Sequence, residues 1–153
     1  MTLSHGLRHG IVIIYMNSVR IVLYNEVQQN QFVALSETDD PDNLKLPGGR
    51  FEKAEDGKEE LPDDAAAREL MEELGVTPEQ VGLVRAGELV NDDGISMRYI
   101  YTGRAHPDIL RPSDEIHHTE LLTDESIPEG KNRGHMLAAV VLSRTVWADN
   151  NAQ

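Results

Sequence analysis

The stretch Arg68-Glu69-Leu70-Met71-Glu72-Glu73-Leu74-Gly75-Val76 constrains this chain more than any other segment. Its apolar residues recur at helical spacing, and a glycine follows the last of them. At about 100° per residue, with Glu69 set at zero, Glu73 falls near 40° and Glu72 near −60°. The three acids therefore share an arc of roughly 100°. Ala66, Leu70, Leu74, Ala67 and Met71 are assigned to the opposite, packed arc. Acids at i and i+4 on an exposed helix repel by about 0.2–0.5 kcal/mol. Arg68 can offset Glu72 but not all three acids, whereas a divalent cation would turn the repulsion into attraction. Most acidic helix faces are simply solvated, so the neighbouring sequence has to decide.

Upstream lie Leu46-Pro47-Gly48-Gly49-Arg50-Phe51-Glu52, then Glu60, Leu61, Pro62, Asp63 and Asp64, and three alanines leading into Arg68. This region resembles the Nudix box, G-x5-E-x7-R-E-U-x-E-E-x-G-U, where U is a bulky aliphatic. From Glu60 onward every specified position is filled: seven residues, Arg68-Glu69, Leu70, Glu72-Glu73, Gly75 and Val76. The first half departs from the pattern, because five extra residues separate Gly49 from the glutamate. The insertion is assigned to Lys53-Ala54-Glu55-Asp56-Gly57, a polar run with a turn-forming glycine. Glu60 is taken as the box glutamate because Pro62-Asp63-Asp64 follows it as a helix start. Proline suits the first turn there, and acids complement the helix dipole. Glu55, at the correct distance from Gly49, is the fallback.

The resemblance implies an α+β architecture, an α/β/α sandwich with a mixed β-sheet between helices. It also implies a metal-binding set of Glu69, Glu72 and Glu73, with the backbone carbonyl of Gly49 completing it. Glu60 and Arg68 are expected to brace the loop–helix–loop. The cofactor is expected to be Mg2+ or Mn2+, since hard ions favour carboxylate and water ligands. Such an ion neutralises charge on a diphosphate and acidifies a bound water. The activity implied is hydrolysis of a diphosphate linkage in a nucleoside diphosphate joined to a group X. That covers nucleotide sugars or ADP-ribose-like compounds on one side and nucleoside triphosphates, including oxidised ones, on the other. A catalytically silent nucleotide sensor on the same fold is the alternative.

The general base is sought in Ser113 to Glu120, with Glu115 as candidate, Glu120 as alternative, and Glu69 if the helix itself supplies the base. Arg50, next to the glycines, is the candidate phosphate contact. Arg98, Arg104 and Arg133 read better as solvated surface arginines. Tyr99 or Tyr101 could stack on a base, although core packing suits whichever faces inward. The adjacent His117 and His118 point to opposite sides of a strand and are not expected to share a metal.

The other elements follow from periodicity. Strands are expected over Gly10–Met16, Val19–Glu26, Gln31–Glu37 and Leu44–Leu46, with Asp39–Asn43 as an acidic loop. Val84–Val90 and Ser96–Arg104 flank the hairpin signal Asn91-Asp92-Asp93-Gly94. In the latter strand Met97, Tyr99 and Tyr101 alternate with Arg98, Ile100 and Thr102. Asp114–Leu122 reads as part loop, part strand. Helices are expected over Pro62–Leu74, stopped by Gly75, and over Lys131–Ala148.

At 153 residues the chain reads as a single domain, with about 1–9 and 149–153 flexible. It has no cysteine for a disulfide or thiolate metal site, no membrane-length apolar run and no signal-peptide pattern. Those features fit a cytoplasmic location. A net charge of −13 disfavours binding to a nucleic-acid polymer, while leaving a small nucleotide substrate open. A homodimer stands as one option for the assembly.

Overall fold

The computed structural model describes residues 7–8, 11–12 and 16–151, with side chains from 16 to 148. Near the N-terminus, β1 (Leu7–Arg8) pairs antiparallel with β2 (Ile11–Val12). The remainder of the strand expected over Gly10–Met16 lies outside the described residues, apart from Met16, which is in no strand.

The main sheet is built on β3 (Ser18–Asn25), whose side chains are nearly all buried. A strand covered on both faces needs apolar residues at odd and even positions alike, which is why it reads as a run rather than an alternation. Val19, Ile21 and Leu23 face one core cluster with Ala65, Ala66, Leu70 and Leu74; Val22 and Tyr24 face the other with Met136, Ala139 and Val140. These two cores are the layers of the α/β/α sandwich expected from the sequence. Thr102 joins the second layer: its hydroxyl donates to the Val22 carbonyl at 2.8 Å and accepts from Trp147 Nε1 at 2.9 Å.

β3 runs parallel to β8 (Met97–Ala105), and β8 is antiparallel to β7 (Val84–Val90). On its other side β3 meets two antiparallel partners in succession. β4 (Phe32–Glu37) pairs at Tyr24↔Phe32, and β6 (Gly48–Arg50) pairs with Ser18 to Arg20. β4 also holds β5 (Asp40–Lys45) and β9 (Ile116–Leu122). The ambiguous segment Asp114–Leu122 thus resolves into a turn followed by a strand.

One reading of the strands is corrected. The acidic loop Asp39–Asn43 and short strand Leu44–Leu46 become a two-residue turn and a strand starting at Asp40. Pro41 is tolerated because, among the described residues, β5 pairs with β4 alone and its other edge carries no ladder. Gly48-Gly49 lies within β6 itself. Pro78 opens a second, short helix.

The first helix, α1 (Pro62–Leu74), ends as expected: Gly75 takes φ 67° and its N–H closes on the Met71 carbonyl at 3.0 Å. Thr77 then caps α2 (Pro78–Val81), its hydroxyl accepting from Gln80 N while Gln80 returns a bond to Thr77 N. This reciprocal box follows from Thr-x-x-Gln at the helix entry. The last helix, α3 (Arg133–Asn151), carries its backbone through Asp149–Asn151, where a frayed tail was expected; residues 152–153 lie outside the described set.

Candidate active site

α1 packs against β3 and β6, and that docking brings the acidic residues to the glycine pair. The buried face of the helix is Ala65, Ala66, Glu69, Leu70, Glu73 and Leu74. This overturns the expected division into an apolar side and a solvated acidic side. Glu69 is 8% exposed and Glu73 3%, whereas Met71 is 48% exposed. On the wheel, Ala66 falls at about 60° and Leu70 at about 100°, beside the two acids rather than across from them. Only Glu72 turns outward.

Each buried acid has a defined neighbour on β6. The Gly48 N–H donates to Glu73 Oε1 at 2.7 Å. At Gly49 a Cβ would lie 2.5 Å from Glu69 Oε1, so any side chain there would push that carboxylate from its present position. Gly48 has φ 142° and would place a Cβ 2.1 Å from the Val19 carbonyl oxygen. Gly48 is thus required by the backbone beside it, and Gly49 by the present position of the Glu69 carboxylate.

Arg68 ties the acids to the loop. Its Nε donates to Glu60 Oε2 at 2.8 Å and its Nη2 to Glu60 Oε1 at 2.8 Å, a two-pronged pair. Nη1 donates to Glu69 Oε1 at 2.9 Å and to Glu72 Oε2 at 3.1 Å. Nη2 also reaches the Arg50 carbonyl at 3.1 Å, and Glu52 lies 3.2 Å from Nε. The bonds from Glu60, more than any other influence, raise the Arg68 pKa against the effect of burial. The same bonds lower that of Glu60.

The insertion before Glu60 is a small hairpin. Lys53 and Glu59 form an antiparallel bridge, the Glu60 N–H donates to the Glu52 carbonyl at 3.0 Å, and Ala54 and Gly57 close the tip. Glu52 N in turn donates to Glu60 Oε1 at 2.8 Å. The extra residues leave and return at one point, so Glu60 stands beside Glu52 as though the loop were short. Glu55 sits on the exposed tip, away from Arg68.

The charge state of the pair is set by burial. Loss of solvent pushes the Glu73 carboxyl up to about 8, opposed by the Gly48 N–H and reinforced by the charge of Glu69. Burial also raises Glu69, with Arg68 opposing. Two desolvated carboxyls side by side are poised for a cation. The donor chemistry, oxygen only, suits a hard divalent ion. Among the described residues no three acidic or histidine side chains converge on one point. Arg68 Nη1 instead takes the place between Glu69 and Glu72.

The other candidates are scattered. Glu115 is exposed in the turn before β9; its carbonyl accepts from Thr38 N, and no hydrogen bond or ion pair joins its carboxylate to the acids of α1 among the described residues. Glu120 lies 3.4 Å from His118 on the exposed face of β9. The Arg50 side chain is exposed. Tyr101 is buried and gives its hydroxyl to Asp63, while Tyr99 stacks on Phe51 at 5.6 Å. Arg104 lies over the Trp147 ring at 4.0 Å, and Arg133 is held by the Ile127 carbonyl.

Arg98 departs from the solvated reading. It is half-buried, and its Nε is shielded from water without a partner. Arg20, on β3 in line with Gly48, was not anticipated. The signal was available, since Arg20 is the one charged residue in the otherwise apolar or polar run Ser18–Asn25.

A mixed sheet between helices, with a glycine-rich strand set against a buried acidic helix, defines a class of hydrolase folds. The model of the NUDIX domain matches residues 14–140, and the chain belongs to that family. It is a Nudix-type hydrolase. Solved structures agree on the fold. A protein from Deinococcus radiodurans superposes with a TM-score of 0.68 at 17% identity, covering 90% of this chain and 98% of its own. A C. elegans Ap4A hydrolase gives 0.59 at 20% identity, with 90% and 100% covered. The NUDIX domain of Shewanella oneidensis NrtR, complexed with ADP ribose, gives 0.60 at 17% identity, with 88% and 90% covered. No curated protein sequence matches the chain. Among the described residues no helix is long and apolar enough to cross a membrane.

Proposed function

We propose that this protein hydrolyses a diphosphate linkage in a nucleoside diphosphate joined to a group X, using Mg2+ or Mn2+. The observation that carries the reading is the buried Glu69–Glu73 pair against Gly48-Gly49, held by Arg68. A solvated acidic face would have no reason to bury two carboxyls and shift Glu73 to about 8. Glu69, Glu72 and Glu73, with the Gly49 carbonyl, would hold the ion. When bound, the ion supplies charge neutralisation for the diphosphate and lowers the pKa of an attacking water.

The remaining work falls to the chain. Glu60 and Arg68 fix the carboxylates of Glu69 and Glu72, so that little reorganisation is needed during the reaction. Glu69 is better placed than Glu115 to take the proton of the attacking water, because it already belongs to the acidic group. Arg50, beside the glycines, offers its exposed guanidinium to a phosphate. The substrate is a small nucleotide rather than a nucleic-acid polymer, in keeping with the charge of −13.

Glu73→Gln is the test. Wild type is expected to turn over at least one nucleotide in a panel with Mg2+, and the variant to be about 100-fold slower, in line with removal of a charge-stabilising group. Pyrophosphate as product assigns a triphosphate substrate; paired monophosphates assign a nucleotide sugar or ADP-ribose-like compound. Ligand binding with no turnover by wild type would replace the hydrolase reading with that of a nucleotide sensor.

A further inference from the structure

On the α3 side of β3, a cavity of about 40 Å3 is walled by Arg20, Lys45, Arg98, Asn132 and His135. The first turn of α3 supplies His135, and the residue just before the helix is Asn132. Most of the polar lining is already committed. Lys45 pairs with Glu37, Asn132 Nδ2 donates to the Leu44 carbonyl at 3.0 Å, and His135 lies 3.3 Å from Asp92. The two guanidinia are not. Among the described residues Arg20 makes one side-chain hydrogen bond, from Nη1 to the Leu46 carbonyl at 3.1 Å. Arg98 makes none among the described residues, and its Nε is buried.

We infer that this cavity binds a phosphoryl group of the substrate, so that X is a phosphate or ends in one. Two guanidinia with most donors unused, an ammonium group and a helix N-terminus supply the fork geometry and field that a tetrahedral oxyanion takes up. Burying them without an anion is costly. Burial lowers the pKa of both arginines; at Arg20 the charges of Glu73, Glu69 and Glu37 oppose that fall and Arg98 adds to it, while at Arg98 Asp92 opposes it. An anionic oxygen is the strongest acceptor for the guanidinium donors left over, stronger than the hydroxyls of a neutral sugar. A nucleobase is disfavoured by the size of the cavity, room for no more than a few waters, and by a lining with no Phe, Tyr or Trp ring.

The cavity adjoins the acidic pair through the Arg20–Gly48 register, because Gly48 also donates to Glu73. A phosphoryl group held there lies close to the diphosphate to be cleaved, as the terminal group of a nucleoside polyphosphate would. This placement rests on the hydrolase reading; the presence of an oxyanion site does not.

The test uses the full chain in EDTA, with inorganic phosphate as probe at constant ionic strength. Wild type is expected to bind phosphate with a dissociation constant below about 1 mM, a conventional threshold for a specific weak site. Arg98→Gln is expected to weaken it at least tenfold, while Arg104→Gln, on the Trp147 ring, leaves it unchanged. Should Arg98→Gln not fold, the Arg98 Nε resonance of wild type decides: a saturable shift with phosphate supports the site, and an unmoved signal overturns it. Binding of guanosine but not phosphate would mean a base-reading pocket and would also overturn it. Phosphate binding that depends on Arg98, without hydrolysis of any nucleotide, would sink the hydrolase reading and leave the oxyanion site standing. With turnover, Arg98→Gln should raise KM at least tenfold for a nucleoside triphosphate and not for a nucleotide sugar; equal effects would refute an anionic X.

Discussion

Single atoms decide the state of Glu69 and Glu73. Gly49→Ala sets a Cβ 2.5 Å from Glu69 Oε1, and Glu69 is the partner that can move. That displacement breaks its 2.9 Å bond from Arg68 Nη1. We expect a modest loss of stability, about 1–2 kcal/mol, and a loss of Mg2+-dependent turnover of at least tenfold. Circular dichroism melts and steady-state assays on one preparation separate the two effects. Equal turnover in variant and wild type would mean that Glu69 does not need its present position.

Glu73 gives a pH signature. Its carboxyl titrates near 8 in the folded protein against an ordinary value of 4.5. Between those values the folded chain keeps a proton that the unfolded chain releases. The resulting stability is therefore complete below about pH 4.5 and lost as pH rises through 8. Metal-free wild type should accordingly lose more melting temperature from pH 5 to 8 than Glu73→Gln does. The difference should be several degrees, since about 1 kcal/mol moves a domain of this size by ~2–4 °C. Parallel pH profiles for the two proteins would rule out the shift.

Among the elements, the hairpin from Glu52 to Glu60 is the most instructive. It lengthens the loop but closes on itself, so its cost is mainly that of a slightly longer loop. Removing Lys53 through Gly57 leaves Lys58 and Glu59 between Glu52 and Glu60. The bond from Glu60 N to the Glu52 carbonyl then becomes that of an ordinary β-turn. The shortened protein should retain the Arg68–Glu60 pair, melt within about 3 °C of wild type and keep its substrate. A drop in turnover above tenfold with unchanged stability would assign the hairpin a part in substrate binding.

The elements were unevenly legible from sequence. The ends of α1 were readable, because Pro62 and Gly75 act through local backbone geometry. The faces of α1 were not. An acid and a leucine about 100° apart can share a buried arc, and only the docking of the helix on β6 reveals that they do. β5 was obscured by Pro41, since whether a strand lies at an edge is not a local property. The hairpin was invisible for a similar reason: its bridge joins Lys53 to Glu59, neither with strong strand propensity.

Over the whole molecule, a net charge of −13 works against the compact state, and the acidic helix concentrates part of it. A divalent ion bound only by the folded chain should therefore stabilise it. At about 100 times its dissociation constant the gain is ~2.7 kcal/mol. We expect Mg2+ or Mn2+ to raise the melting temperature by several degrees over NaCl of equal ionic strength, with EDTA reversing the gain. Glu69→Gln and Glu73→Gln should each lose most of it. An identical rise in both variants would reduce the effect to general screening of charge.

By itself the sequence determined the family, the position of the acidic helix and the identity of the acids, because each depends on residue spacing along a few turns of chain. The α/β/α layering was also within reach, since β3 is apolar or aromatic at four consecutive buried positions, Ile21 to Tyr24. Tertiary structure alone decided that Glu69 and Glu73 are buried, how the hairpin brings Glu60 back beside Glu52, and that Arg20 and Arg98 share a cavity. These outcomes depend on which strands lie beside β3 and where a loop re-enters. They are contacts between distant residues, set by burial of the two cores as a whole, and no local pattern encodes them.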